Sequence, residues 1–261
     1  MNFEVANLKV AIGGCIFGSR VRTFKEITST QDYAISIAET DPYSHGMVII
    51  SESQLSGRGR KDKKWISPPG GLWFSVIIKS DVKTSSSLFL SNAMSLAVCE
   101  TISSSLNLEA SIKWPNDVLI RTRKVAGILI SSAVRGKNLE YCIVGVGINL
   151  NSKPQGLRRA TSLIEHTSQS SIRMEPFLAS ILTLFNGYYR EIQSGNWETV
   201  ARRWKLHCPM MGKRIKVVGN DTQLDGLATN IDPDGSLILV TSEGQIVKIS
   251  DTQYTSIKIK A

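Results

Sequence analysis

The stretch SGRGRKDKKW, residues 56–65, crowds Arg58, Arg60, Lys61, Lys63 and Lys64 around Gly57 and Gly59, with Asp62 as its one carboxylate and Trp65 closing the run. So many cations keep the segment in solvent, and the glycines keep it out of a helix, so a loop is expected. Glycine lets a backbone approach an anion closely, and the guanidinium fork suits phosphate or carboxylate. Alone, the run fits a solvated surface loop first and an RNA-contacting loop second. KWPND, residues 113–117, gathers a cation, an indole, a proline and two oxygen-bearing side chains, although Pro-Asn-Asp is also ordinary turn chemistry. Lys124 opens the apolar KVAGILI, where Gly127 marks close approach by a ligand or another backbone. GVGINLN places Gly145 and Gly147 ahead of Asn149 and Asn151; without GxGxxG and a following helix it is not a dinucleotide fingerprint.

These residues need a scaffold. In TFKEITSTQDYAISIAE, Ser29 and Thr30 are N-cap candidates for a short helix with Ala34, Ile37 and Ala38 on one face. MVIISE (47–52) is a buried strand feeding the basic loop, and GLWFSVIIKS (71–80) is another. SLFLSNAMSLAVCETISSSL (87–106) is a core-facing helix, whereas SIKWPNDVLI and KVAGILISS are two strands joined by the basic turn Arg121, Thr122, Arg123. YCIVGVGINLN (141–151) is a further strand, residues 152–172 are a polar loop, and FLASILTLFNGYYREIQ and NWETVARRWKLH are amphipathic helices. A mixed sheet flanked by helices, an α+β domain, follows. Beyond Gly212 the texture changes to KRIKVVG, QLDGLATNID, SLILVTS, QIVKIS and TSIKIK, separated by GND, DPDG and SEG turns. That is the pattern of a small β-barrel, with a boundary near Pro209.

With 261 residues and 42% hydrophobic content the chain can bury a substantial core. Its formal charge of +9 is compatible with nucleic acid, an acidic protein or a phosphorylated ligand. Cys15, Cys99, Cys142 and Cys208 form no CxxC pair, so neither a zinc site nor a disulfide scaffold is indicated. His45, His166 and His207 lie outside every motif, and no stretch approaches the ~20 apolar residues of a membrane span. A cytoplasmic location with no membrane partner is expected.

Taken in order, STQ, SQLSGRGR…KKW, GGLWFS, KWPND, KVAGIL and GVGINLN resemble the catalytic domain of biotin protein ligases, or biotin–[acetyl-CoA-carboxylase] ligases. The likeness runs from about Thr28 through the barrel to the chain end. It implies a class II synthetase-like biotin/lipoate ligase catalytic domain over 1–208 and an SH3-like β-barrel over 209–261. It also implies biotin and ATP as substrates with Mg2+: biotin is activated to biotinoyl-5′-AMP, then passed to a lysine of a biotin carboxyl carrier protein. By that resemblance Ser29, Thr30, Gln54, Gly57, Arg58, Arg60, Lys124 and Gly127 bind biotin. Arg58, Arg60, Trp65, Asn116, Lys124 and Asn149 bind ATP or the adenylate. Lys124, Arg58 and Asp117 carry the chemistry, Asp117 also being the position for a magnesium contact or for help in deprotonating the incoming amine.

The chain departs from the family pattern at Gln31, where Asn is frequent, and at Asp62, which sets a carboxylate and a Cβ where glycine is usual. Lys63 keeps charge but loses the fork. Fewer than thirty residues precede STQ, and they read as strand and turn, so operator DNA binding through a helix-turn-helix is not expected. The resemblance implies a homodimer, with GGLWFS fitting either a dimer edge or an internal strand. Two other readings are a lipoate or octanoate ligase of the same superfamily, and a non-catalytic basic nucleic-acid-binding module, which lacks any RNP-like aromatic run.

Overall fold

The computed structural model describes residues 3–79, 87–135, 138–219, 223–250 and 254–259. Ser80, Asn220 and Asp221 of the GND turn, and Lys260 lie outside them.

Seven strands form the main sheet: β1 (Val21–Ile27), β2 (Val48–Gln54), β3 (Leu72–Ile78), β4 (Ala110–Lys113), β5 (Asp117–Ile120), β6 (Arg123–Arg135) and β7 (Asn138–Ile148). Their spatial order is β1-β2-β3-β7-β6-β5-β4, with β1 and β2 parallel and the other neighbours antiparallel. The sheet is therefore mixed, as expected. GGLWFS contributes to β3, which is buried along its whole length between β2 and β7 and so is an internal strand.

The period of two along a strand assigns the two faces different work. Val48, Ile50, Phe74, Val76, Val144 and Ile148 pack into the large core with α3 (Ser87–Leu106), α4 (Met174–Gln193) and α5 (Trp197–Leu206). The alternate residues Ile49, Ile77, Tyr141 and Ile143 meet Ala34 and Ala38 of α2 (Thr30–Thr40) on the opposite face. Ser29 caps α2, its hydroxyl accepting the Asp32 N–H at 3.3 Å, while Thr30 is the first helical residue. Where α2 ends its cover of that face, the sheet presents Ser75, Gly145, Gly147 and Gly127 instead of bulky side chains. The site lies there.

Two sequence-based expectations need correction. The N-terminal region is not only strand and turn: Val5–Ile12 is a helix, α1, because Leu8 and Ile12, one turn apart, bury themselves in the large core, and Gly13 in a left-handed conformation ends it. SIKWPNDVLI is not one strand but the hairpin β4–β5, with Lys113 opposite Asp117. Pro115, lacking an N–H, cannot serve a ladder, and residues 114–116 turn the chain.

The second sheet comprises β8 (Arg214–Gly219), β9 (Gln223–Ile231), β10 (Leu237–Val240), β11 (Ile246–Ile249) and β12 (Tyr254–Ile259), all antiparallel, in the order β11-β10-β9-β8-β12. It is the SH3-like barrel. Its inward Ile215, Val217, Leu237 and Leu239 join the same continuous core as the helices. The four cysteines are free and buried, and no helix among the described residues is long and apolar enough to cross a membrane.

Candidate active site

The basic run forms a short hairpin rather than an irregular loop. Gly57 C=O accepts the Trp65 N–H at 2.8 Å, Gly59 N–H donates to Lys63 C=O at 2.7 Å, and Arg58 lies opposite Lys64. Lys63 N–H then returns to Arg60 C=O across Lys61 and Asp62, whose φ values of 52° and 57° are both left-handed. Two successive left-handed residues define a type I′ turn, whose second position favours glycine. That is the physical meaning of Asp62 as a departure: the conformation suits the family's usual glycine, and aspartate adopts it at a modest cost.

Two contacts hold the hairpin across the mouth of a cavity of about 560 Å³. Arg58 Nε lies 2.5 Å from Asp32 Oδ1 in the first turn of α2, and Arg60 Nη1 donates to Asn116 Oδ1 in the KWPND turn at 3.3 Å. Between them Trp65 lays its indole on the glycine shelf of the sheet. A Cβ on Gly147 would come within 2.4 Å of Trp65 Nε1, and one on Gly127 within 2.9 Å of its ring. Gly127 and Gly147 are paired across β6 and β7, so both are needed to make room. The indole N–H is buried without a hydrogen-bond partner.

One row of side chains further along the sheet, the cavity ends in a neutral polar cluster. Thr30 N–H and Oγ1–H donate to Gln54 Oε1 at 2.8 and 3.1 Å, Gln54 Nε2 donates to Ser67 Oγ, and Ser75 Oγ lies 3.0 Å from Thr30 Oγ1 and 3.2 Å from Gln31 Oε1. Gln31 also donates to Ser131 Oγ at 2.9 Å. Its Oε1 occupies the space that a side chain on Gly145 would take. At the other end, Lys124 Nζ sits 2.5 Å from Asp117 Oδ1 and 4.8 Å from the centre of the Trp65 ring. Exposed Lys61, Lys63, Lys64, Lys113 and Arg159 complete a cationic mouth.

Of the residues singled out in the sequence, Ser29, Thr30, Gln54, Arg58, Arg60, Trp65, Asn116, Asp117, Lys124 and Gly127 all line this cavity. Gly57 and Asn149 do not. Gly57 is buried in the hairpin, where a Cβ would stand 2.4 Å from Trp65 C=O. Asn149 is buried beneath the site; its Nδ2 donates to Thr161 C=O, and Thr161 N–H in turn donates to Lys124 C=O. Strand β7 ends at Ile148, and the Nδ2 of Asn149 turns to the crossing backbone while its Oδ1 is buried without a partner. Gln31, Asp32, Ser75 and Ser131 went unrecognised as site residues. The detectable signal was a break in the period-two apolar pattern: Ser75 interrupts LWFSVII just as Gly145 and Gly147 interrupt the facing strand. The segment 157–162 that supports Lys124 is fastened by Glu165. Burial raises that carboxyl, but hydrogen bonds from Lys153, Thr161 and the Ser162 N–H outweigh it and hold it down at about 2. None of the three histidines lines the cavity.

A polar dead end, an aromatic-on-glycine middle and a cationic mouth, set on the open face of an α+β sheet, suit a ligand with a polar head and an anionic tail. Residues 23–149 match the biotin/lipoate A/B protein ligase family, and residues 211–250 match the biotin protein ligase C terminal domain. The biotin–[acetyl-CoA-carboxylase] ligase of Paracoccus denitrificans is 26% identical over 207 residues, 76% of this chain and 86% of that protein. The bifunctional ligase/repressor BirA of Bacillus spizizenii is 28% identical over 223 residues, 84% of this chain and 68% of that protein. A biotin protein ligase from Aquifex aeolicus, solved in complex with biotin and ATP, superposes with a TM-score of 0.77 at 26% identity, covering 93% of this chain and 100% of that one. This chain belongs to the biotin protein ligase family.

Proposed function

We propose that the protein activates biotin with MgATP to biotinoyl-5′-AMP and then transfers the biotinoyl group to a lysine of a biotin carboxyl carrier protein. In this reading residues 1–208 hold the substrates and 209–261 form the accessory barrel. The observation that carries it is the order of environments in the cavity. The buried cluster of Thr30, Gln54, Ser75 and Gln31 offers donors and acceptors to a neutral polar head such as the ureido ring. Trp65 on its shelf supplies an apolar wall for the thioether ring and chain, and Lys124, Arg58 and Arg60 meet the carboxylate and the α-phosphate. Lipoate or octanoate has no ureido donors and acceptors to exchange for the contacts this cluster makes within itself, so the dead end favours a polar head over an apolar one.

The activation step forms a carboxylate–phosphorus bond and releases pyrophosphate. Lys124 and the two arginines stabilise the negative charge that builds on the α-phosphate oxygens, under the hairpin that spans the mouth. In the second step the carrier amine attacks the acyl carbon and AMP leaves. That amine is mostly protonated at neutral pH, its reference pKa being ~10.4, and in this reading Asp117 receives the proton. The donor set also fits Mg2+, which takes one or two carboxylates and substrate phosphates; Asp117 and Asn116 Oδ1 would hold it. When bound, the ion neutralises phosphate charge.

The test is biotin-dependent exchange of labelled pyrophosphate into ATP, run beside lipoate and octanoate. Exchange with biotin alone is expected; exchange with lipoate in preference to biotin, or salt-sensitive nucleic-acid binding with no exchange, would overturn the reading. The I′ turn adds a second expected result. Asp62→Val, β-branched at a left-handed position, should open the hairpin and speed escape of the adenylate about 5- to 30-fold, in line with a strain of ~1–2 kcal/mol, whereas Asp62→Gly should slow it. A filter-retention time course reads both, and equal escape rates in the two variants would refute the role given to the turn.

A further inference from the structure

The indole of Trp114, next to the turn residues of KWPND, is buried to 2% exposure, and its N–H donates to Gly235 C=O of the barrel at 2.9 Å. The acceptor is unusually well braced. Gly235 ends the DPDG turn, in which Gly235 N–H returns to Asp232 C=O, Asp232 N–H donates to Ser236 C=O, and Ser236 N–H donates to Asp234 Oδ1 at 3.0 Å. Lys248 on β11 then clamps both Asp232 and Asp234 from the adjoining strand. On the other side, Asn116, two residues past Trp114, donates to Ile128 C=O at 2.7 Å and accepts from Arg60, and Asp117 pairs with Lys124. Gly235, Asn116 and Arg60 line one small cavity of about 50 Å³, so the barrel turn abuts the groups that face the nucleotide.

We propose that Trp114 is a positioning residue through which the barrel sets the KWPND turn, and with it Asn116, Asp117 and the Arg60 end of the hairpin, for the ATP half of the activation step. The proposal rests on the ligase reading. Its physical basis is that the only polar atom of a buried indole is satisfied by the barrel and by nothing in the catalytic sheet. Loss of that bond frees the hairpin to shift, and a displacement of about 1 Å at a reacting group is worth ~10²-fold in rate. The polar end of the cavity is built from α2, β2 and β3, so it should not respond.

Trp114→Phe keeps the ring and removes only the N–H. It is expected to raise the KM for ATP or lower kcat of exchange 10- to 100-fold, with biotin affinity unchanged within about 2-fold. Lys248→Met, which removes the clamp but no cavity-lining side chain, should shift the same ATP parameter in the same direction by less, and the double variant should be no worse than Trp114→Phe alone, because both act through one contact. Hydrogen–deuterium exchange over residues 113–118 gives a readout independent of turnover: faster exchange in Lys248→Met supports the proposal even if the wild type proved inactive toward biotin, an outcome that would sink the ligase reading instead. Wild-type ATP kinetics in Trp114→Phe, proportionate loss of biotin and ATP binding, or unchanged exchange at 113–118 in Lys248→Met would each overturn it.

Discussion

Lys124→Ala is expected to lower biotin-dependent pyrophosphate exchange by ~10²–10³-fold while biotin still binds, the usual consequence of deleting one preorganised group from developing charge. The geometry accounts for both parts of the result. Lys124 stands at the mouth, beside Asp117 and above Trp65, at the end of the cavity opposite the polar cluster that would hold the ureido head. Its removal therefore strips charge stabilisation from the phosphate end and leaves the Asp117 carboxylate without its 2.5 Å partner. Both effects oppose an incoming polyphosphate. Lys124→Arg retains the charge and should recover part of the rate, and calorimetric biotin binding separates the two steps. Undiminished exchange in Lys124→Ala would remove the residue from the chemistry; a loss confined to biotin affinity would move it to the other end of the cavity.

Gly147→Ala is expected to leave the fold intact and to cut adenylate retention and exchange by about two orders of magnitude. A methyl group at residue 147 would lie 2.4, 2.6 and 3.0 Å from three atoms of the Trp65 indole, all in one rigid ring that can yield only by moving as a unit. The indole must leave the shelf, and the hairpin that carries Arg58 and Arg60 leaves with it. A loss of ~2–3 kcal/mol in the closed form corresponds to roughly that factor, since each 1.4 kcal/mol is tenfold. Thermal melting should barely move, because the sheet register and the core on the opposite face are untouched. Trp65→Ala in the Gly147→Ala background should cost no more than Trp65→Ala alone. Additive losses would show that the glycine serves something other than the shelf.

How much of this was legible beforehand depended on whether a signal was local. The strands VIISE and LWFSVII, the capped helix after Ser29 and the short strands after Gly212 all carry their period and their punctuation within a dozen residues. Their positions in the structure agree closely with the reading. The basic run was recognisable as a ligand loop by composition, but its I′ turn was not, because left-handed φ at Lys61 and Asp62 is decided by ladder contacts between Gly57 and Trp65 and between Gly59 and Lys63. Asn149 shows the same limit from the other side. Its residue type suited a ligand contact, yet only tertiary structure shows that its Nδ2 holds the carbonyl of Thr161, twelve residues away, while its Oδ1 is buried without a partner.

Local chemistry alone thus specified which residue types would act: the cations and glycines of the loop, the KWPND turn, the lysine of KVAGIL and the paired glycines of GVGINLN. Tertiary structure decided their roles. Strand register set Gly127 opposite Gly147 and Ser75 opposite Gly145, opening one face of the sheet just where α2 stops covering it. Packing across 121 residues brought the barrel turn to Trp114, an arrangement no local pattern encodes, because it depends on two surfaces distant in sequence sharing one core and meeting at a buried hydrogen bond.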